Sequence, residues 1–198
     1  MIAVPVAADV FYFEHFLNAE EADWYFDALL DGVSWTQDEI TMFGRRVRMP
    51  RLTAWYGDSG AVYTYSGLRN EPRPWTAPLR ELRDRVSDAG GAAFNSVLLN
   101  RYRSGSDGMS WHADDEPELG DAPTIASLSL GAPRLFVMRS KDDKRRVLEL
   151  RLAHGSLLLM RGTSQKRFQH SVPKEKRAHG ERINLTFRVV SPTTRMRC

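Results

Sequence analysis

A chain of 198 residues with 28 basic and 25 acidic side chains, a net charge of +3 and a pI near 9.2 suits one domain that buries a core without disulfides or structural metal, and so small a basic excess does not by itself argue for nucleic acid. Its single cysteine, Cys198, excludes an intrachain disulfide and any cysteine-based metal cluster, and favours a reducing compartment. The stretch 1–5 lacks the basic start and apolar core of a signal peptide, and no apolar run approaches the roughly 18 residues of a membrane span, so the expectation is a cytoplasmic monomer that engages no membrane.

After a short apolar lead over 10–16, Asn18-Ala19-Glu20-Glu21 reads as a helix start, with Asn18 as the cap and Glu21 completing a capping box. Ala22, Tyr25, Phe26, Leu29 and Leu30 follow at helical spacing, and Gly32 suits the stop. From 35 to 65 the pattern changes to short extended pieces broken by Gly44, Pro50, Gly57 and Gly60. Arg45, Arg46, Arg48 and Arg51 crowd this segment, interleaved with Met42, Phe43, Trp55, Tyr56, Tyr63 and Tyr65. Rings among cations are what single-stranded or flipped bases require, since rings stack on bases while guanidinium groups meet phosphates. Taken singly, Trp55 or Tyr63 reads as strand core. A second helix follows, with Thr76 as cap, Pro78 in the first turn, Leu79, Leu82 and Val86 as the buried stripe, and Gly90-Gly91 as the end. Beyond it the chain reads as short strands over 97–102, 124–130, 135–139, 147–152, 156–160, 168–171 and 183–190. A second basic cluster, Lys141, Lys144, Arg145 and Arg146, falls between two of them. This order predicts a mostly β fold with buttressing helices, a jelly roll with a cavity between its sheets.

The chemistry centres on Trp111-His112-Ala113-Asp114-Asp115-Glu116. On a strand, successive side chains point to opposite faces, so His112 and Asp114 aim the same way. Completed by a distant imidazole, for which His170 is the candidate, they make the 2-His-1-carboxylate triad that occupies one face of an octahedral iron. Near the C-terminus, Arg182, Asn184, Thr186 and Arg188 share one face of a strand while Ile183, Leu185 and Phe187 share the other. In an ordinary sandwich the polar face would meet solvent. Turned inward, two arginines require an anion, because an unpaired buried charge is too costly, and guanidinium forks pair carboxylates in a bidentate way. Asn100 and Tyr102, also two apart, add an amide and a phenol as orienting hydrogen-bonders. His15, His154 and His179 read as structural, and Ser127 and Ser129 lack a partner that would make either a nucleophile.

Taken together these residues resemble the AlkB family of Fe(II)- and 2-oxoglutarate-dependent dioxygenases, in its compact nucleic-acid-repair form. The likeness rests on His112-x-Asp114, His170, Arg182-x-Asn184-x-Thr186-Phe187-Arg188 and Asn100-Arg101-Tyr102. It extends over about 50–190 through Pro50-Arg51-Leu52-Thr53-Ala54-Trp55-Tyr56-Gly57 and Ile125-Ala126-Ser127-Leu128-Ser129-Leu130-Gly131. The resemblance implies a double-stranded β-helix, with 1–198 as a single dioxygenase domain and 35–70 as its substrate-recognition segment. It implies Fe(II) on His112, Asp114 and His170, with O2 as co-substrate. It implies 2-oxoglutarate held by Arg182 at the distal carboxylate and Arg188 at the carboxylate beside the keto group, helped by Asn100, Tyr102, Asn184 and Thr186. The implied reaction is oxidative demethylation of N-alkylated bases such as 1-methyladenine and 3-methylcytosine in DNA or RNA, releasing formaldehyde, succinate and CO2. Tyr63, Thr64 and Tyr65 match the family's damaged-base-binding strand, and Asp115 an acidic residue near the base edge. Phe43-Gly44-Arg45 resembles a hairpin that some duplex-acting relatives push into DNA. Arg134 is expected either to approach substrate or to cap a strand turn. Two other readings stay open: the same oxidant aimed at a protein or small molecule, and a non-enzymatic jelly-roll binding module whose His and Asp are structural.

Overall fold

Short β-branched and leucine-rich runs separated by turn residues build an antiparallel double sheet behind two helices. The computed structural model describes residues 4–7, 9–42, 45–65, 68–177 and 180–191, and for 4–6, 40–42, 45, 63–65 and 68–70 the backbone alone. In chain order, β1 (Val4–Ala7) and β2 (Val10–Phe13) precede α1 (Ala19–Gly32), and β3 (Glu39–Met42), β4 (Arg45–Arg48), β5 (Leu52–Gly57), β6 (Tyr63–Tyr65) and β7 (Leu68–Asn70) lead to α2 (Ala77–Gly90). Then come β8 (Ser96–Tyr102), β9 (Met109–His112), β10 (Ile125–Gly131), β11 (Arg134–Ser140), β12 (Arg146–Leu152) and β13 (Ser156–Met160), the single turn α3 (Ser164–Arg167), β14 (Phe168–Val172) and β15 (Arg182–Arg188).

The large sheet has the order β1-β2-β13-β10-β15-β8-β5 and the small one β12-β11-β14-β9, while β3-β4 and β6-β7 form separate ribbons. This is the predicted jelly roll with buttressing helices. Its alternation divides the core in two. Leu185 and Phe187 of β15 and Leu128 of β10 pack on Leu29, Leu79, Leu82 and Val86 of the helices. Tyr102, Ile125, Phe136, Met138 and Leu158 fill the space between the sheets. The helices thus cover one face of the large sheet, and the other face closes on the small sheet.

Helix ends follow local chemistry only in part. Asn18 Oδ1 accepts from the Glu21 amide at 2.9 Å and the Glu21 carboxylate accepts from the Asn18 amide at 3.0 Å, so the capping box forms. Thr76 occupies the cap of α2 but makes no capping hydrogen bond, which corrects the role expected of it. Gly91 ends α2 in the left-handed region, φ 61°. The apolar lead over 10–13 is a strand of the large sheet, paired with β13. Among the described residues no helix is long and apolar enough to cross a membrane.

Candidate metal centre and ligand cavity

β14 pairs with β9 so that His170 lies opposite His112, and their ring centroids stand 4.2 Å apart. β9 ends at His112, however, and Asp114 follows in an irregular stretch rather than on the strand. The ladder therefore does not hold Asp114, although its side chain converges with His112 as the two-residue spacing predicts. One donor atom from each of His112, Asp114 and His170 lies within 4.8 Å of the others, and His170 Nε2 is 3.6 Å from Asp114 Oδ2.

The protonation states suit a cation. His112 Nδ1 lies 2.8 Å from the Ser110 carbonyl, an acceptor, so Nδ1 carries the proton and the lone pair stands on Nε2. Burial pushes the Asp114 carboxyl up, but Arg188, His170 and His112 more than offset this and hold it at about 2. Burial, reinforced by His112, pushes His170 down to about 3. At neutral pH the buried pair is therefore a carboxylate and a neutral imidazole, the forms that bind metal. Two imidazoles and one carboxylate converging from one side fit Fe(II) with open positions opposite.

All seven residues of β15 are buried, and its polar face lines the same cavity as the three ligand residues, together with Asn100 and Tyr102. The two arginines stand at different ends. Arg188 Nη2 donates to Asp114 Oδ1, beside the metal ligands. Arg182, 1 % exposed, donates through Nη2 to Ser129 Oγ at 2.9 Å and lies 5.2 Å from the Tyr102 ring centroid. Its Nε and Nη1 are buried and make no hydrogen bond of ordinary geometry with the described residues, while the Tyr102 phenol interacts favourably with the guanidinium. Burial lowers its pKa, yet a guanidinium keeps its charge in a protein, so a buried cation with two unused donors faces the cavity. Such a group fits a carboxylate.

The rest of the predicted constellation divides into braces and rim. Asn184 Nδ2 donates to Ser127 Oγ at 2.8 Å and to the Leu128 carbonyl at 3.0 Å, and Thr186 Oγ1 donates to Asn184 Oδ1 at 3.1 Å. These two residues line the cavity while bracing the sheet. Ser127 and Ser129, set aside as nucleophiles, serve as acceptors for the ligand-facing side chains. Arg51, grouped by sequence with Arg45, Arg46 and Arg48, is 5 % exposed and donates through Nε to Asn100 Oδ1 at 2.8 Å, which turns the amide nitrogen of Asn100 the other way. Arg134 is buried and donates to the carbonyls of Ser104, Asp107 and Pro173 and to Glu175, so it caps turns. His154 Nδ1 accepts from the Gly131 amide at 2.7 Å, a structural role as expected.

Asp115 is exposed on the rim, 2.6 Å from Lys141 Nζ. Arg46 and Arg48 extend into solvent and pair with Glu39 at 3.2 and 3.6 Å. A groove of about 280 Å3, lined by Asp38, Met49, Arg51, Trp55 and Arg73, meets the cavity at Leu98. Arg45 belongs to β4 and Tyr63, Thr64 and Tyr65 form β6, described by backbone only, while Phe43, Gly44 and His179 lie outside the described residues.

Comparison with known proteins gives a consistent likeness. A family profile described as "2OG-Fe(II) oxygenase superfamily" matches residues 9–188, which takes the likeness well upstream of position 50. The human protein named "Alpha-ketoglutarate-dependent dioxygenase alkB homolog 3" is 43 % identical over 189 residues, covering 91 % of this chain and 65 % of its own. The mouse protein named "DNA oxidative demethylase ALKBH2" is 46 % identical over 162 residues, covering 78 % of this chain and 68 % of its own. The chain thus spans about two thirds of the length of these relatives. A solved structure described as "The structure of OsALKBH1" superposes with a TM-score of 0.69 at 17 % identity, covering 94 % of this chain and 99 % of that one, a likeness of fold.

Proposed function

We propose, from the premise that this chain belongs to the 2OG-Fe(II) oxygenase superfamily and within it to the AlkB family, that it oxidatively demethylates N-alkylated bases such as 1-methyladenine and 3-methylcytosine in DNA or RNA, acting as a cytoplasmic monomer. The observation that carries the reading is a single cavity with a buried triad at one end and, at the other, an Arg182 guanidinium with two unused donors. His112, Asp114 and His170 would hold Fe(II), and Arg182 would pair with the distal carboxylate of 2-oxoglutarate, steadied by Ser129 and flanked by Tyr102. Arg188, beside Asp114, is suited to the carboxylate next to the keto group. When bound, Fe(II), O2 and 2-oxoglutarate supply the oxidation of the N-methyl carbon, which leaves as formaldehyde while succinate and CO2 form.

The protein positions and shields these groups. Leu98, Met109, Phe136 and Leu152 supply apolar walls beside the charged centre, and the near-complete burial of Asp114, His170 and Arg182 strengthens its electrostatics. A methyl on a Watson–Crick edge is reached only when the nucleotide leaves the stack. The segment 35–70 is our candidate for receiving it, with Tyr63, Thr64, Tyr65 and Asp115 at the base and Phe43, Gly44 and Arg45 along the strand. The relatives named as DNA oxidative demethylases support a nucleic-acid substrate.

Purified protein with Fe(II), ascorbate and 2-oxoglutarate is expected to release formaldehyde from oligonucleotides bearing one 1-methyladenine, and a His112→Ala variant to release none. If 2-oxoglutarate consumption is the same with and without methylated nucleic acid, the substrate assignment fails. Full turnover by His112→Ala would instead revive a structural role for the triad.

A further inference from the structure

We infer that Gln165 is a positioning residue for the metal centre, fixing the main chain of Asp114 so that its carboxylate meets the two imidazoles. The inference rests on the metal-site reading above. Because β9 stops at His112, Asp114 stands outside the ladder that sets His112 against His170. A buried amide there needs a partner that the sheet does not supply. The Asp114 N–H donates to Gln165 Oε1 at 2.9 Å, in a buried bond. Gln165 is itself 1 % exposed, and its Nε2 lies 3.4 Å from Met160 Sδ, so the oxygen end of the amide is the end turned toward Asp114.

The location of Gln165 gives that bond its consequence. It lies in α3, the turn that runs directly into β14 and His170. One side chain thus couples the irregular stretch carrying the carboxylate ligand to the element carrying the second imidazole. Arg188 holds the same residue from the other side, by its carboxylate. Without Gln165 the amide would be buried and unsatisfied, and the stretch 113–116 would be free to seek another partner, carrying the ligand oxygen out of register. Groups that orient a ligand in this way commonly change metal affinity by about 10- to 100-fold when removed.

Mn(II) titrated into the metal-free full chain, with free ion followed by EPR, tests this without turnover. Gln165→Leu, similar in shape but lacking the acceptor, is expected to weaken Mn(II) binding about tenfold or more, whereas Gln165→Glu, which keeps an acceptor oxygen, stays within about threefold of wild type. Leu79→Ala, a truncation in the core under α2, is expected to lower the melting temperature at least as far as Gln165→Leu while leaving Mn(II) affinity unchanged. Wild-type affinity in Gln165→Leu, an equal loss in Gln165→Glu, or an equal loss in Leu79→Ala would each overturn the inference. Should Gln165→Leu fail to fold, Gln165→Met takes its place with the same expectations. A wild-type chain that takes up no Mn(II) would overturn the metal-site reading itself.

Discussion

Arg182 and His170 show how burial makes ordinary side chains specific. Arg182 is a cation enclosed among Ser129, Tyr102 and sheet residues, with its Nε and Nη1 nitrogens left over. Replacing it with Met keeps the volume and removes the charge, so the variant is expected to raise the KM for 2-oxoglutarate about thirtyfold or more, equivalent to about 2 kcal/mol of lost pairing. Mn(II) affinity of the same variant is expected to stay at the wild-type value, since Arg182 touches none of the three ligands. His170 carries a pH prediction. Its folded value of about 3 lies below the ordinary 6.5, so between those limits the unfolded chain takes up a proton that the buried ring refuses. The metal-free protein is therefore expected to be fully stable above pH 6.5 and to lose stability as pH falls toward 3, read as a falling denaturant midpoint. Asp114, held at about 2 against an ordinary 3.8, adds a further loss below pH 3.8.

Among the elements, the two helix starts make a controlled contrast. Asn18 has both bonds of a capping box and Thr76 has none from its side chain. Asn18→Ala is expected to cost about 1 kcal/mol of unfolding free energy, while Thr76→Ala falls within about 0.5 kcal/mol of wild type. The sequences differ as well: Glu21 stands three residues after Asn18 to complete the box, whereas Leu79 holds that place after Thr76. The strands divide in the same way. The alternation of β15 was legible because its two faces meet different surroundings, the helix-covered core on one side and the cavity on the other. His112 and Asp114 converge as inferred, but β9 ends between them, so the ladder itself does not hold Asp114 in place.

For the whole molecule, the charge layout predicts how binding responds to salt. The net charge of +3 is small, but Arg46 and Arg48 project from the β3-β4 ribbon and Lys141 stands on the rim beside Asp115. Each Arg46→Ala or Arg48→Ala change is expected to weaken binding to a methylated oligonucleotide and to lower the slope of log K against log salt by about 1. A slope unchanged in the double variant would remove the ribbon from the nucleic-acid surface. The polar face of β15 and the capping box were legible in the sequence because each depends on residue type at short, regular spacing, while the fold class and the distant His170 of the triad were legible through the run of short strands and the likeness to a family. Only the tertiary structure decided that Arg51 is buried against Asn100, that Ser129 serves Arg182, and that Gln165 holds the amide of Asp114. Those partners lie tens of residues apart in the chain, and a buried polar group is satisfied by whichever neighbour the folded packing brings within about 3 Å, which no local pattern encodes.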